Sequence, residues 1–333
     1  MRDSIERFKR THEFRLLLVI LVMAGALSLS TPGFASLQNL VDVLSSTAFI
    51  GIMAAGLLVV IITGGIDLSF AATASIAQYA ALTVANQLGI AWVGVFAIAL
   101  ALGLALGLIN GMLMNRLRTS ALIVTIATLN VFYGILLTVT RGADIFSLPD
   151  WFTEGFEFVF HTNAQGDSLA LNFQIMALLL AFVATWLLLN RSNIGRQIYA
   201  FGGNPDAAQR VGFNVRRLNL LVYGYMGALA GIASLVQAQL VQSVSPSALV
   251  GRELDVVAAV VIGGASLNGG SGTVLGTLLG VGLIAMLQNG LILLGISSYW
   301  SLFNTGLVII AAVVMMAMEN KKRRKLASEG TTP

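Results

Sequence analysis

The chain contains no cysteine, which removes disulfides and thiolate metal ligands while leaving the cellular compartment open. Histidine is almost as scarce. Only His12 and His161 occur, too few for a histidine-rich metal centre. Charge is thin as well: Asp, Glu, Lys and Arg make up 10% of the 333 residues. A soluble domain carries roughly 25%, because it must cover itself with water-compatible groups.

What fills the chain instead is apolar. Hydrophobic residues reach 57% and the mean hydropathy is +0.86, so the solvent for most of this surface is lipid. No segment is long and polar enough to fold as a separate soluble domain, which predicts a single membrane domain over residues 1–333. The net charge of +4 does not indicate a nucleic-acid partner, because the basic residues flank apolar spans as membrane topology requires. At the N-terminus a basic stretch (Arg2, Arg7, Lys9, Arg10) precedes an apolar run from Phe14 to Leu29. No small-x-small cleavage site follows directly and more spans come after, so this reads as an uncleaved first span.

A helix needs about 20 apolar residues to cross the hydrocarbon core. Candidate spans fall near 14–30, 44–63, 68–88, 90–114, 120–139, 172–189, 218–242, 254–266, 273–294 and 298–318, the eighth being short. Ten spans put both termini on one side. That side then holds Arg2, Arg7, Lys9, Arg10, Arg15, Arg116, Arg118, Arg191, Arg196, Arg210, Arg216, Arg217 and the basic tail 321–325. The other side holds only Arg141 and Arg252. The asymmetry predicts an all-α polytopic membrane protein of about ten transmembrane helices with Gly-interrupted segments, both termini cytoplasmic. In this reading residues 1–13 and 319–333 are cytoplasmic ends, 14–318 the membrane domain and 190–217 a cytoplasmic loop. The longest outer loop, 140–171, is acidic (Asp144, Asp150, Glu154, Glu157, Asp167) and interleaved with Trp151, Phe152, Phe156, Phe158 and Phe160. Such a stretch suits the outer membrane interface, or a docking surface for an extracytoplasmic partner.

Three elements are candidates for function. In Thr63-Gly64-Gly65-Ile66-Asp67-Leu68-Ser69 the glycines permit a tight turn, and Asp67 stands where the next helix begins. Its carboxylate either caps that helix or lines a water-filled path. Val261-Ile262-Gly263-Gly264-Ala265-Ser266-Leu267-Asn268 echoes this motif after the short eighth segment. Gly64, Gly65, Asp67, Gly263 and Gly264 are therefore hinge or pathway candidates, since paired Gly-interrupted segments point to broken helices in transporters. Close helix packing through small residues gives the same composition. The adjoining Gly269-Gly270-Ser271-Gly272 matches a G-x-S-G protease motif, but both histidines lie outside the spans and on opposite sides, so no base reaches the serine.

The third element is Asn204-Pro205-Asp206-Ala207-Ala208-Gln209-Arg210-Val211-Gly212, which reads as a complete short helix. Asn204 is its N-cap, Pro205 its first residue, Asp206 and Arg210 complement the dipole, and Gly212 is the stop. Such a rigid cytoplasmic helix suits force transmission from a soluble partner; a plain solvated connector is the other reading. Within the spans, Gln78, Asn130, Tyr133, Gln288, Asn289 and Trp300 are the substrate-path candidates, because amides bond hydroxyls and rings stack on sugar faces. Each can equally be interhelical glue, worth about 0.6 kcal/mol and up to about 2 kcal/mol per pair.

Taken in order, Thr63-Gly-Gly-Ile-Asp-Leu-Ser69, Ile194-Gly-Arg-Gln-Ile-Tyr-Ala-Phe-Gly-Gly-Asn-Pro-Asp206 and Glu253-Leu-Asp through Gly264 and Leu267 resemble the permeases of monosaccharide ABC importers, the ribose, xylose, arabinose and galactose type. The resemblance covers residues 40 to 318. It implies a bacterial inner-membrane protein working with a second permease copy, a cytoplasmic ABC ATPase and a periplasmic sugar-binding protein. It also implies that the helix from Asn204 to Gly212 seats in the ATPase. The chain has no G-x-x-x-x-G-K-[ST] phosphate loop, so ATP and magnesium belong to the partner and this chain carries no cofactor. After Ser69 the family continues with Val-Gly-Ser or similar, whereas Phe70-Ala71-Ala72 stands here. That leaves the substrate open among sugars, polyols and a furanosyl signalling molecule, with nucleosides and branched amino acids as the neighbouring classes. Ion-coupled transport is disfavoured, because Asp67 and Asp255 lie at span ends rather than mid-span.

Overall fold

The computed structural model describes residues 11–117, 119–162 and 168–297, together with Trp300, Phe303, Gly306, Leu307, Ile310 and Val314. The last predicted span, 298–318, and both termini therefore lie largely outside the described residues. The chain runs α1 (His12–Ser30), α2 (Leu37–Ser46), α3 (Ala48–Ile62), α4 (Phe70–Leu88), α5 (Trp92–Leu117), α6 (Ala121–Thr140) and α7 (Asp150–Glu154). A hairpin follows, β1 (Glu157–Thr162) with β2 (Ser168–Asn172). Then come α8 (Phe173–Trp186) with a π turn at Leu187–Arg191, α9 (Asn193–Gly203), α10 (Pro205–Arg210), α11 (Val215–Val241), α12 (Glu253–Ile262) and α13 (Val274–Leu293).

Among the described residues, α1, α5, α6, α8 with its π turn, α11 and α13 are each long and apolar enough to cross a membrane. The predicted second span is two helices, α2 and α3, bent by 51°. The bend falls at Thr47, whose hydroxyl donates back to the Val43 carbonyl, a bond that competes with the regular ladder. Counted as one, the bent pair makes seven. The predicted eighth span is shorter than expected: α12 stops at Ile262.

α3 is the centre. All fifteen of its residues are buried, with α11, α8, α12 and α13 packed around it. The tightest pairing is α5 against α11. Gly103, Gly107 and Gly111 meet Gly227, Tyr223 and Leu220 backbone to backbone, in antiparallel order. A side chain on Gly107 would run into the Tyr223 carbonyl, so small residues set this approach.

The loop 140–171 contains a short helix, α7, and the β hairpin. β1 and β2 pair antiparallel from Glu157↔Asn172 to Thr162↔Ser168, with an irregularity between Val159 and His161. The molecule is mostly helical, as the all-α expectation has it, with one small hairpin added in this loop. The loop aromatics do not simply lie at the interface. Phe152 is fully buried, and Trp92 gathers Phe152, Phe173, Trp151 and Phe156 at centroid distances of 4.9, 5.2, 5.4 and 5.5 Å. The Trp92 indole N–H also donates to the Trp151 carbonyl at 3.2 Å, fixing α7 to the start of α5. Phe158 and Val159, on the hairpin, remain exposed.

Candidate functional site: glycine turns and a capped helix

α10 forms as its residues dictate. The Asn204 Oδ1 accepts from the Ala207 N–H at 2.9 Å, with Pro205 in the first turn. At the other end the Gly212 N–H donates to Gln209 at 3.0 Å and the Phe213 N–H to Ala208 at 3.1 Å. That pair closes the helix on a glycine at φ +92°. Asp206, Ala207, Gln209 and Arg210 are exposed, whereas Ala208 is 4% exposed and forms the underside. The predicted helix therefore has one outward face, and Ala208 belongs to the packed one. A groove of about 640 Å³ lies beside it, between Met114 and Asn115 of α5 and Gln209, Phe213 and Arg216. The loop 190–217 is not one helix in a connector, because α9 fills its first half.

The two glycine motifs form matching turns. Gly64 has φ +82° and Gly264 φ +90°. Gly65 and Gly263 are not left-handed, so one glycine of each pair makes the turn. Their constraint is space. A Cβ on Gly65 would lie 2.8 Å from the Tyr223 hydroxyl oxygen, and one on Gly263 2.5 Å from the Gly276 carbonyl oxygen.

Asp67 is 2% exposed. Its Oδ1 accepts from the Ser69 N–H at 2.8 Å and from the Ser69 hydroxyl at 2.7 Å. Ser69 holds the N-cap position of α4, so Asp67 shapes the turn ahead of the cap. The Asn110 amide of α5 donates to the Ser69 hydroxyl at 2.6 Å, and the Thr125 hydroxyl of α6 to the Ile66 carbonyl at 3.1 Å. The turn is thereby tied to two further helices. On the opposite side of the sequence motifs, Glu253 opens α12 and accepts the Gly251 N–H at 2.7 Å.

The substrate-path candidates are spread over several elements. Gln78, on α4, is buried with its Oε1 unpartnered. Asn130, on α6, is exposed and donates to the Ile126 carbonyl at 2.8 Å; Tyr133 is half-buried one turn on. On α13, Gln288 is half-buried, and Asn289 exchanges amide bonds with Asn39 at 2.8 and 3.2 Å. Trp300 is 54% exposed and meets the Phe303 ring edge-on at 5.4 Å. Two features escaped sequence reading: the glycine stripe joining α5 to α11, visible as Gly103-x-x-x-Gly107-x-x-x-Gly111, and the seating of Tyr199 and Gly202 within a quoted motif.

Comparison with known proteins gives a match over residues 39–313 to the family model described as "Branched-chain amino acid transport system / permease component". The ribose import permease protein RbsC of Escherichia coli K12 is 35% identical over 311 residues, 93% of this chain and 94% of that protein. The RbsC of Bacillus subtilis 168 is 37% identical over 298 residues, 89% and 90% of the two chains. The galactose/methyl galactoside import permease protein MglC of E. coli K12 is 31% identical over 323 residues, covering 92% and 94%. No solved structure matches.

Proposed function

Because the chain belongs to the family of branched-chain amino acid transport system permease components, we propose that it is the membrane-spanning subunit of an ATP-driven monosaccharide importer. It is a multi-pass inner-membrane protein. The observation that carries the substrate class is the likeness to ribose and galactose import permeases along about nine-tenths of the chain, rather than across one motif. The family description names branched-chain amino acids, so that class is the second reading; the sugar-named relatives favour the first.

In this reading the chain performs no chemistry. ATP and magnesium are held by a cytoplasmic ATPase, and an external binding protein delivers the sugar or polyol to a pair of permease copies. About ten spans cross the membrane, with both termini and α10 on the cytoplasmic side, as the distribution of arginine and lysine supports. Residues 1–333 then form one membrane domain. α10 docks the ATPase through Ala207, Gln209 and Arg210, its exposed residues. Asn130, with Gly134 and Thr138, stands on the exposed face of α6. In this reading Asn130, whose amide nitrogen bonds the Ile126 carbonyl, borders the substrate path.

The test is reconstitution with the neighbouring ATPase and binding protein, measuring uptake of labelled D-ribose and D-galactose. Uptake should require ATP and stop with vanadate, and Ala207→Glu should abolish it while the chain still inserts. Uptake driven by an ion gradient without the ATPase would overturn the proposal. The natural absence of cysteine gives a clean topology assay: a cysteine at Ala207 should label from the cytoplasm, and one at Asp144 from outside.

A further inference from the structure

α9 and α10 share a single residue. The Asn204 N–H donates to the Ala200 carbonyl at 3.1 Å, closing α9, while its side chain caps α10. One residue between two helices leaves no slack, so a displacement of α10 is passed on to α9. What α9 touches therefore decides where that displacement goes.

The last turns of α9 sit in a joint made of backbone. Gly202 lies against the carbonyl of Ile62, the final residue of α3, so closely that any side chain would collide with that oxygen. The same Ile62 oxygen accepts the Gly270 N–H at 2.8 Å. A Cβ on Gly270 would lie 2.8 Å from the Gly203 Cα, and one on Gly269 2.9 Å from the Gly64 Cα. Tyr199, one turn earlier on α9, donates its hydroxyl to the Gly272 carbonyl at 2.7 Å. From the other side α1 holds the same segment: the His12 Nε2 bonds the Ile262 carbonyl at 2.7 Å, and the Thr273 hydroxyl donates to Glu13 at 2.8 Å.

We infer that Tyr199 and Gly202 are positioning residues which key the ATPase-docking helix directly to the end of α3 and to the loop 266–272. The inference rests on the reading of α10 given above and adds the route by which its motion leaves it. Glycine backbone in direct contact has no rotamers to absorb a shift, so α3 and the entry to α13 move with α9. The end of α3 and the loop 266–272 respond together because Gly202 abuts both the Ile62 carbonyl and the Gly270 nitrogen.

The test uses the permease–ATPase complex with and without trapping by Mg-ATP and vanadate, read by backbone hydrogen exchange at 205–210 and 266–272. Wild type should change at both segments on trapping. Tyr199→Phe removes one hydroxyl bond, and Gly202→Ala wedges α9 off Ile62. Both should keep the change at 205–210 and lose it at 266–272, and sugar taken up per ATP hydrolysed should fall. Gly203→Ala is the matched control, since nothing lies within 4 Å of a Cβ there, and it should behave as wild type. Retention of the 266–272 change in Tyr199→Phe and Gly202→Ala, or its equal loss in Gly203→Ala, overturns the inference while leaving α10 as the docking helix. Absence of any change at 205–210 in wild type overturns the docking reading and the inference with it.

Discussion

Gly64 and Gly264, in opposite halves of the chain, end their helices with the same two hydrogen bonds. The Gly64 N–H donates to Ile61 at 2.9 Å and the Gly65 N–H to Val60 at 3.3 Å. The Gly264 N–H donates to Val261 at 2.9 Å and the Ala265 N–H to Val260 at 3.2 Å. The repeat therefore pairs Gly64 with Gly264 and Gly65 with Ala265, one position away from the pairing that the Gly-Gly dipeptides suggest. Gly64→Ala forces a side chain to φ +82°, at a cost of about 1–3 kcal/mol. Gly64→Asn should recover most of that, because asparagine tolerates the left-handed region and the nearest atom to a Cβ is 3.6 Å away. Gly264→Asn should not recover, since its Cβ would meet the His12 ring at 2.7 Å. Yield of folded protein in detergent, compared across the four Ala and Asn variants, decides; equal behaviour of Gly64→Asn and Gly264→Asn would refute the account.

Asp67→Asn keeps an oxygen that can accept the Ser69 N–H and removes the charge. The variant should fold and transport close to wild type, while Asp67→Ala should lose about 1 kcal/mol of stability. A well-folded Asp67→Asn that fails to transport would assign the role to the charge instead.

Packing gives a sharper contrast. Gly107→Ala places a methyl against the Tyr223 carbonyl and should destabilise the protein by about 1–3 kcal/mol. Gly134→Ala, with nothing within 4 Å, should melt at or slightly above wild type, because alanine favours a helix interior over glycine. Thermal unfolding of both in detergent is the measurement, and equal melting temperatures would show that the α5–α11 approach is not set by glycine.

Much of the helical layout is legible in the sequence because apolar runs and caps are local. The span placed at 120–139 is α6 within two residues, and every capping role assigned from Asn204 to Gly212 is present; the segment placed at 68–88 is helical as α4 but is not among the six helices apolar enough to cross a membrane. The hairpin was hidden because pairing of Glu157 with Asn172 is a non-local choice, and neither strand alternates cleanly. The Thr47 bend falls at the polar triplet Ser45-Ser46-Thr47, just inside the start of the span placed at 44–63, where hydroxyl residues alone do not announce a 51° turn. The joint around Gly202 was illegible for a different reason: glycine motifs far apart in sequence reveal neither that they touch nor which of their members does so.

The complete burial of α3 bears on how the protein is made. The helices that enclose it, α8, α11, α12 and α13, all follow it in the chain, and synthesis proceeds from the N-terminus. Until they arrive, a segment destined for the middle must lodge among lipids or beside the insertion machinery. Its sequence, AFIGIMAAGLLVVII, is apolar on every side and can wait there without exposing a polar face. Assembly of this bundle is thus a late enclosure of an early helix. A polar substitution anywhere on α3 should be punished first during biogenesis, before any transport cycle begins.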